Sequence, residues 1–273
     1  MRGDRVGTYL HRMQDFLDID TYCFSDDQLD SLLEEMLDNI GHTDPEIRDD
    51  LIYNSFVKLI LKDYVTKEQT IYILQKCMSE QYLFFNIEDK TIGDSVFTRS
   101  FSALVIATIL YKDATTRNLS SELVLHAIHV GIEYLLLEQD YRGYVKEKGW
   151  AHSIAHGSDL LATCVLHPEF AASQTKACLH AIRKCVLVEY PYIDEEDERL
   201  IQVMEALIKK GMKDIELRNW IADLEVELHL PHKRYRIEWN VKRFCYSLYI
   251  ALLQHREFSA SKQAILDKYQ QNN

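Results

Sequence analysis

Apolar residues recur at helical spacing along almost the whole chain. Between Asp26 and Asn39, leucine and methionine side chains return every three or four residues and so occupy one stripe, which predicts an amphipathic helix. Gly41 follows, as is typical of a helix C-terminus. Asp44 and Pro45 then suit the N-cap and the first turn of the next helix.

The same period extends over most of the remaining sequence, whereas the alternation typical of a half-buried strand is hard to find. The predicted helices cover residues 26–39, 46–63, 67–84, 94–111, 121–138, 150–166, 170–188, 195–210, 213–228, 233–256 and 259–269. This pattern predicts an all-α fold of about eleven helices.

The helices recur as pairs every 40 to 50 residues or so, which is the period of HEAT repeats. The segment DPEIR at residues 44–48 also resembles the start of a HEAT-repeat helix. We therefore expect a HEAT-like array of helical hairpins, which is a short α-solenoid. A compact helical bundle is the alternative, because no segment of the sequence repeats itself. No linker long enough to separate two domains is visible, so we expect one all-helical domain over residues 1–273.

Composition and charge narrow the class of protein further. Glycine and proline make up only 9 and 4 of 273 residues, and so few helix breakers favour long helices. The formal net charge of −12 argues against nonspecific binding to nucleic acid, which depends on Lys and Arg near phosphates, and against docking on an anionic membrane.

The cysteines and the N-terminal sequence indicate the cellular compartment of the protein. The six cysteines, Cys23 among them, are scattered without a CxxC pair, which favours reduced, buried thiols and a cytoplasmic protein. The first residues contain no apolar stretch of the kind found in a signal peptide. No apolar run reaches the roughly 20 residues that a membrane-spanning helix needs.

Chemistry is concentrated in one segment, GWAHSIAHGSDLL at residues 149–161. On a helix, His152 and His156 are four residues apart and share a face, and Asp159 lies on the same stripe. Two imidazoles and a carboxylate in this arrangement suit half of a metal site or a polar pocket. Trp150 at the helix start suits a wall of that pocket, and the free N–H groups of the first helical turn suit an anion.

Three interpretations of the two histidines remain open at this point. They are structural hydrogen bonding, a ligand pocket without metal, and a divalent metal bound by His152, His156 and Asp159. The HExxH metalloprotease motif is disfavoured because Ser153 stands where that motif has glutamate. An HD-type phosphohydrolase is disfavoured because Gly157 follows His156. The sequence contains no P-loop, nucleophile elbow, dinucleotide-binding fingerprint or EF-hand loop.

Five further polar residues are candidates for the same pocket. Arg99 lies within an apolar helix, so it needs either a carboxylate partner or a ligand. Arg142 precedes the histidine segment and is expected at the mouth of the pocket. Glu196 belongs to a run of five acidic residues, which suits a solvated helix start or pairing with a pocket arginine. Asn240 and Arg243 share a helix face that we expect to meet the histidine helix.

Several segments together resemble a known family. They are GWAHSIAHGSDLL, DPEIRD at residues 44–49, DSVFTRSF at 94–101 and EDER at 196–199. The sequence resembles an uncharacterised bacterial family known as a domain of unknown function. The resemblance implies an all-helical, HEAT-like cytoplasmic protein and supplies no reaction.

We therefore expect a cytoplasmic helical-repeat binding protein with a polar pocket for a small or anionic ligand or a peptide, and no nucleic-acid or membrane partner. The alternatives are a metal-dependent hydrolase that uses the same histidine stripe and a purely structural scaffold; whether the protein is an enzyme stays open, as does its oligomeric state. Because unpaired buried charges are costly, Asp159 or Glu196 is expected to pair with Arg99 or Arg142. The turn at residues 196–199 is expected to approach the histidines.

Overall fold

The computed structural model describes residues 3–18, 24–89, 91–224 and 231–270. The α-helices in these ranges are α1 Gly3–Asp18, α2 Asp26–Asp38, α3 Asn54–Leu61, α4 Lys67–Cys77, α5 Ser95–Thr116, α6 Ser121–Leu137, α7 Ser153–Leu166, α8 Thr175–Val186, α9 Glu196–Lys209, α10 Asp214–Ala222, α11 Pro231–Leu252 and α12 Ser259–Gln270. A π-helical segment, Glu46–Tyr53, leads into α3, and a 3-10 turn, Ala172–Gln174, leads into α8. The prediction of an all-α fold is confirmed.

Polar side chains start several of these helices at the predicted positions. Thr66 forms a capping box with Gln69: the Thr66 hydroxyl accepts the Gln69 backbone N–H at 3.1 Å, and the Gln69 side-chain oxygen accepts the Thr66 N–H at 2.9 Å. Ser120 accepts the backbone N–H of Leu123 at the start of α6. Each of these bonds satisfies a donor that the first helical turn leaves free.

The element boundaries differ from the prediction in several places; for example, the helix predicted over residues 67–84 ends at Cys77. Helix α1 was not predicted. The predicted helix over residues 46–63 divides at Asn54, because its first part is π-helical. The predicted helix over residues 150–166 starts later, since Gly149–Trp150 is a strand, β2, that pairs antiparallel with β1, Tyr144–Val145. This hairpin is the only sheet in the described ranges.

One continuous cluster of buried apolar side chains runs from Met13 to Ile265. Helix α7 lies within it and packs against α5, α6 and α9. Gly157 lets α7 approach α6 closely, because a Cβ at that position would lie 2.7 Å from Leu135 and 2.8 Å from Tyr134 of α6. The five cysteines in the described ranges are buried free thiols, and Cys23 lies outside those ranges.

Alternate helices pack against each other along the chain. Helix α3 contacts α5, α5 contacts α7, α7 contacts α9, and α9 contacts α11; α6 contacts α8, and α10 contacts α12. None of the helices in the described ranges is both long and apolar enough to cross a membrane. The single domain over residues 1–273 stays a prediction.

Candidate functional site

The histidine segment begins in a hairpin that is fastened to the π-helical segment. Gly149 has φ +76°, a left-handed conformation that glycine adopts without strain, and a Cβ there would lie 2.8 Å from the Pro45 Cβ. The fully buried Arg48 donates from Nη2 to the backbone carbonyl of Lys148 at 2.9 Å and from Nη1 to that of His42 at 2.7 Å. The DPEIR segment and the residues before the histidines therefore form one packed unit.

His152 is not part of helix α7, although the sequence predicted that it would be. It is the N-cap, with φ 44° and ψ 35° in the left-handed region. The backbone N–H groups of Ala151 and His152 donate to the carbonyls of Gly143 at 2.9 Å and Arg142 at 3.1 Å. These two donors are therefore already used, which removes the predicted anion site at Ala151 and His152.

The two histidine rings nevertheless lie next to each other, in a row of aromatic rings that leads inward from the surface. Tyr144 meets Trp150 edge to face at 5.0 Å between ring centroids, and Trp150 stacks on His152 at 4.3 Å. His152 meets His156 edge to face at 5.7 Å, and His156 meets Phe101 of α5 at 5.3 Å. Trp150 is 40% exposed, so it lies at the outer end of the row; its role as a pocket wall stays a prediction.

Each histidine keeps one buried ring nitrogen without a hydrogen-bond partner in the described parts of the chain: Nε2 of His152 and Nδ1 of His156. Burial lowers the pKa of His152 below its ordinary value. The negative charge and the backbone carbonyl of Asp194 raise this pKa, but burial has the larger effect. Burial, His152 and two arginines, Arg199 and Arg48, lower the pKa of His156 to about 3. Both imidazoles are therefore neutral at physiological pH.

Asp159 pairs with an arginine of α9, which packs against α7, and not with the predicted partners Arg99 and Arg142. Arg199 of α9 donates from Nη1 to Asp159 Oδ2 at 2.6 Å. Burial raises the pKa of Asp159, and Arg199 opposes that effect. The expected approach of the 196–199 turn is confirmed, but the expected pairing of Asp159 with Arg99 or Arg142 is wrong, because Arg199 is the arginine that α9 places against α7.

Arg99 and Arg142 lie apart from this ion pair and line a cavity of about 270 Å³. Arg99 forms a two-bonded pair with Glu138, from Nε at 2.7 Å and from Nη2 at 2.8 Å, and Arg142 pairs with Asp140. Burial opposes the charge on Arg99, but the hydrogen bonds and charge of Glu138 raise its pKa. The ion-pair interpretation of Arg99 is confirmed.

Glu196, Asn240 and Arg243 hold the connector between α8 and α9 in place. The Asn240 amide donates to the carbonyls of Val188 and Tyr190 at 3.0 and 2.8 Å. Arg243 donates to the Tyr192 carbonyl at 2.9 Å and pairs with Asp197 at 3.3 Å, so the expectation that these two residues meet the histidine helix is wrong.

The acidic run before α9 is less solvated than its composition suggested. Glu196 and Asp197 are buried. Glu196 accepts the backbone N–H of Asp194 at 3.0 Å, and its other oxygen has no partner among the described residues. Burial raises the pKa of Glu196. A solvated helix start is thus the wrong interpretation for these two carboxylates, since the connector folds over them.

No group of three or more His, Cys, Asp and Glu side chains in the described ranges is arranged to hold a metal ion. His152 and His156 face one another, but the carboxylate of Asp159 is paired with Arg199. A metal ion between His152 and His156 would therefore have two imidazole nitrogens as ligands and no third protein ligand among the described residues.

Comparison with models of protein families identifies the family of the chain. Residues 83–250 match the model described as "Protein of unknown function (DUF2785)". The chain belongs to the DUF2785 family. No curated protein and no solved structure matches it. The matched residues run from Leu83, in the connector between α4 and α5, into α11, and they contain the GWAHSIAHGSDLL segment.

All nine residues proposed from the sequence lie within the DUF2785 region. Arg48, which contacts the rings of Phe97 and Phe101 at 4.3 and 4.8 Å, lies before it and was not proposed. Its signal in the sequence is an arginine between the apolar residues Ile47 and Leu51, because a charge on an apolar helix face needs buried partners.

The low pKa of His156 predicts acid sensitivity in this member of the DUF2785 family. An unfolded chain binds a proton on this histidine below pH 6.5, and the folded chain does not until about pH 3, so the stabilisation is present above pH 6.5 and is lost as the pH falls. When the pH falls from 7 to 5, the free energy of unfolding should decrease in both proteins. We expect the decrease to be about 2 kcal/mol smaller in the His156→Phe variant than in wild type. Urea unfolding at both pH values checks this. Equal losses in the two proteins would contradict it.

Proposed function

We propose that the protein is a ligand-binding protein and that its recognition site is the pair of neutral imidazoles, His152 and His156. The observation that carries this proposal is the two facing rings, each with a buried nitrogen that has no partner among the described residues. An unsatisfied buried polar atom costs about 1–3 kcal/mol. An incoming group that satisfies both nitrogens recovers that cost, which favours its binding at this place.

The free nitrogens accept hydrogen bonds. The backbone carbonyls of Asp194 and Ser100 raise the pKa values of His152 and His156 as hydrogen-bond acceptors do, and we assign the N–H of each ring to that contact. A neutral imidazole has one N–H and one lone pair, so the remaining nitrogen presents its lone pair. The ligand group must therefore donate hydrogen bonds, which disfavours the anion that the sequence suggested.

The positive charges around His156 favour a neutral donor over a cation. Arg199 and Arg48 both lower the pKa of His156, and the same positive charges repel an ammonium group. A primary amide meets both requirements, because its NH2 group is neutral and has two N–H donors, and it can belong to a small molecule or to a peptide. Trp150 and Tyr144 supply an exposed aromatic wall that suits a planar amide-bearing group.

The fold proposed around this site is a HEAT-like array of helical hairpins. The packing of α3, α5, α7, α9 and α11 on one another in chain order supports a stacked arrangement, in which each helix pair adds to a continuous core. A cytoplasmic, bacterial binding protein is consistent with this proposal. The metal-dependent hydrolase would need a third ligand beside the two imidazoles.

A thermal-shift titration tests the function. Nicotinamide carries a primary amide on a planar ring, and nicotinate replaces the amide with a carboxylate. We expect nicotinamide to raise the melting temperature of the wild type by several degrees once its concentration is far above Kd, because the stabilisation grows to about 2.7 kcal/mol at a hundredfold excess. Nicotinate should have no effect.

Two variants separate binding from stability. His156→Phe keeps an aromatic ring against Phe101 and removes the nitrogens, so it should abolish the nicotinamide shift. His126→Phe, on the exposed face of α6, makes the same substitution elsewhere and should retain it. An equal shift in wild type and His156→Phe would refute the site. Uptake of one zinc ion per chain by wild type, lost in His152→Phe and His156→Phe, would support the hydrolase instead.

A further inference from the structure

The cavity of about 270 Å³ beside α5 has the properties of a second binding site, and it is independent of the imidazole pair. It is lined by Arg99 and Ser95 of α5, by Glu138, Asp140 and Arg142 after α6, and by Tyr141 and Tyr190, among others. Its volume is near the lower end of the range of small-molecule sites, about 300–1,000 Å³.

The charged groups in this cavity are already paired with one another. Arg99 uses three nitrogens on Glu138, the Phe85 carbonyl and the Ser95 hydroxyl. Arg142 donates to Asp140 and to the carbonyl of Gly93. No arginine is left to neutralise an anion, and the lining carboxylate of Asp89 adds a negative charge. The cavity therefore disfavours phosphates and carboxylates.

The uncharged groups are the ones that remain available. The phenol hydroxyls of Tyr141 and Tyr190 make no hydrogen bond within the portions of the chain that the structure describes, although their rings lie 6.3 Å apart between centroids. The Ser95 hydroxyl accepts from Arg99 at 3.0 Å and still has its own proton to donate. The two rings and the side chain of Ile87 supply apolar faces.

We propose that this cavity binds a neutral polyhydroxylated ring, that is, a pentose or hexose, free or as part of a ribonucleoside. Such a ligand offers hydroxyl groups that both donate and accept, which match the phenols and Ser95. It also has an apolar ring face that packs on an aromatic side chain. The fixed ion pairs hold the walls in place without competing for the ligand, since their hydrogen bonds are already made.

Isothermal titration calorimetry with D-ribose, D-glucose, adenosine and ribose 5-phosphate tests the proposal. We expect at least one of the three neutral probes to bind, and ribose 5-phosphate to bind more weakly than ribose. Tighter binding of adenosine than of ribose identifies a nucleoside as the source of the ring, and the reverse order identifies a free sugar. Absence of heat for all three neutral probes at millimolar concentrations overturns the proposal, as does tighter binding of ribose 5-phosphate.

Matched tyrosine variants locate the binding. Tyr190→Phe removes one hydroxyl from the cavity and should weaken the affinity of the bound probe about three- to tenfold; the double variant Tyr141→Phe/Tyr190→Phe should weaken it further. Tyr111→Phe makes the same change on an exposed position of α5 and should leave the affinity unchanged. His156→Phe should also leave it unchanged, which separates this site from the imidazole pair. An unaltered affinity in the double variant overturns the assignment.

Discussion

Replacing Arg99 with alanine is expected to lower the free energy of unfolding by about 3–5 kcal/mol, because it leaves a buried carboxylate without its partner. Glu138 is fully buried. It accepts two hydrogen bonds from Arg99 and the backbone N–H groups of Gln139 and Asp140 at 2.9 and 2.8 Å. The substitution also frees the Phe85 carbonyl, which Arg99 now satisfies at 2.9 Å. Urea denaturation at pH 7, followed by circular dichroism, measures the change.

Two further variants show whether the unpaired charge is the cause. The double variant Arg99→Met/Glu138→Gln removes both charges and should recover a large part of the loss, since breaking a buried pair costs more than replacing it. Arg234→Ala removes an exposed arginine that pairs with Glu238 one helical turn away and should change stability little. A double variant as unstable as Arg99→Ala would show that packing, and not the unpaired carboxylate, dominates.

Most of the helices could be predicted because their apolar stripes reach one shared core. The exceptions have local causes. The sequence contains no period that separates a π-helical turn from an α-helical one, so the division at Asn54 was missed. The two-residue strands at residues 144–145 and 149–150 are too short to show alternation. Helix α1 has an apolar stripe that was not recognised, although Met13 and Phe16 are buried in the core.

The sequence identified only part of the candidate site, because Arg99, Asn240 and Arg243 make their contacts away from the imidazole pair. The rings of Trp150, His152 and His156, which the sequence groups within residues 149–157, do lie next to one another. The ion pairs of the site could not be predicted, because several arginines compete for a few carboxylates and only tertiary packing selects between them. Arg199 was named within the 196–199 turn and turned out to be the partner of Asp159. The left-handed His152 broke the helical spacing on which the stripe was based.

Replacing Arg48 with methionine is expected to destabilise the fold by about 3 kcal/mol and to loosen the hairpin that carries Trp150. Arg48 is fully buried, and methionine keeps much of its apolar volume while it removes every donor. The carbonyls of His42 and Lys148 then lose their bonds at 2.7 and 2.9 Å, and each unsatisfied buried acceptor costs about 1–3 kcal/mol. The substitution also removes the cation–π interactions of Arg48 with the rings of Phe97 and Phe101.

The consequences of this substitution extend to the imidazole pair, because the Lys148 carbonyl is two residues before Trp150. In Arg48→Met, hydrogen exchange of the Ala151 and His152 amides should become faster relative to amides of α10, which lies far along the chain.

Arg48→Lys keeps a charge but reaches only one carbonyl with a single nitrogen, so its loss of stability should fall between those of wild type and Arg48→Met. Asp49→Asn tests the ion pair separately: Asp49 lies 2.8 Å from Arg48 Nε but is partly exposed, and its loss should be the smallest of the three. If Asp49→Asn proved as destabilising as Arg48→Met, the ion pair would be the main source of stability at this place. The hydrogen bonds to the carbonyls of His42 and Lys148 would then not be what holds the histidine hairpin on the π-helical segment.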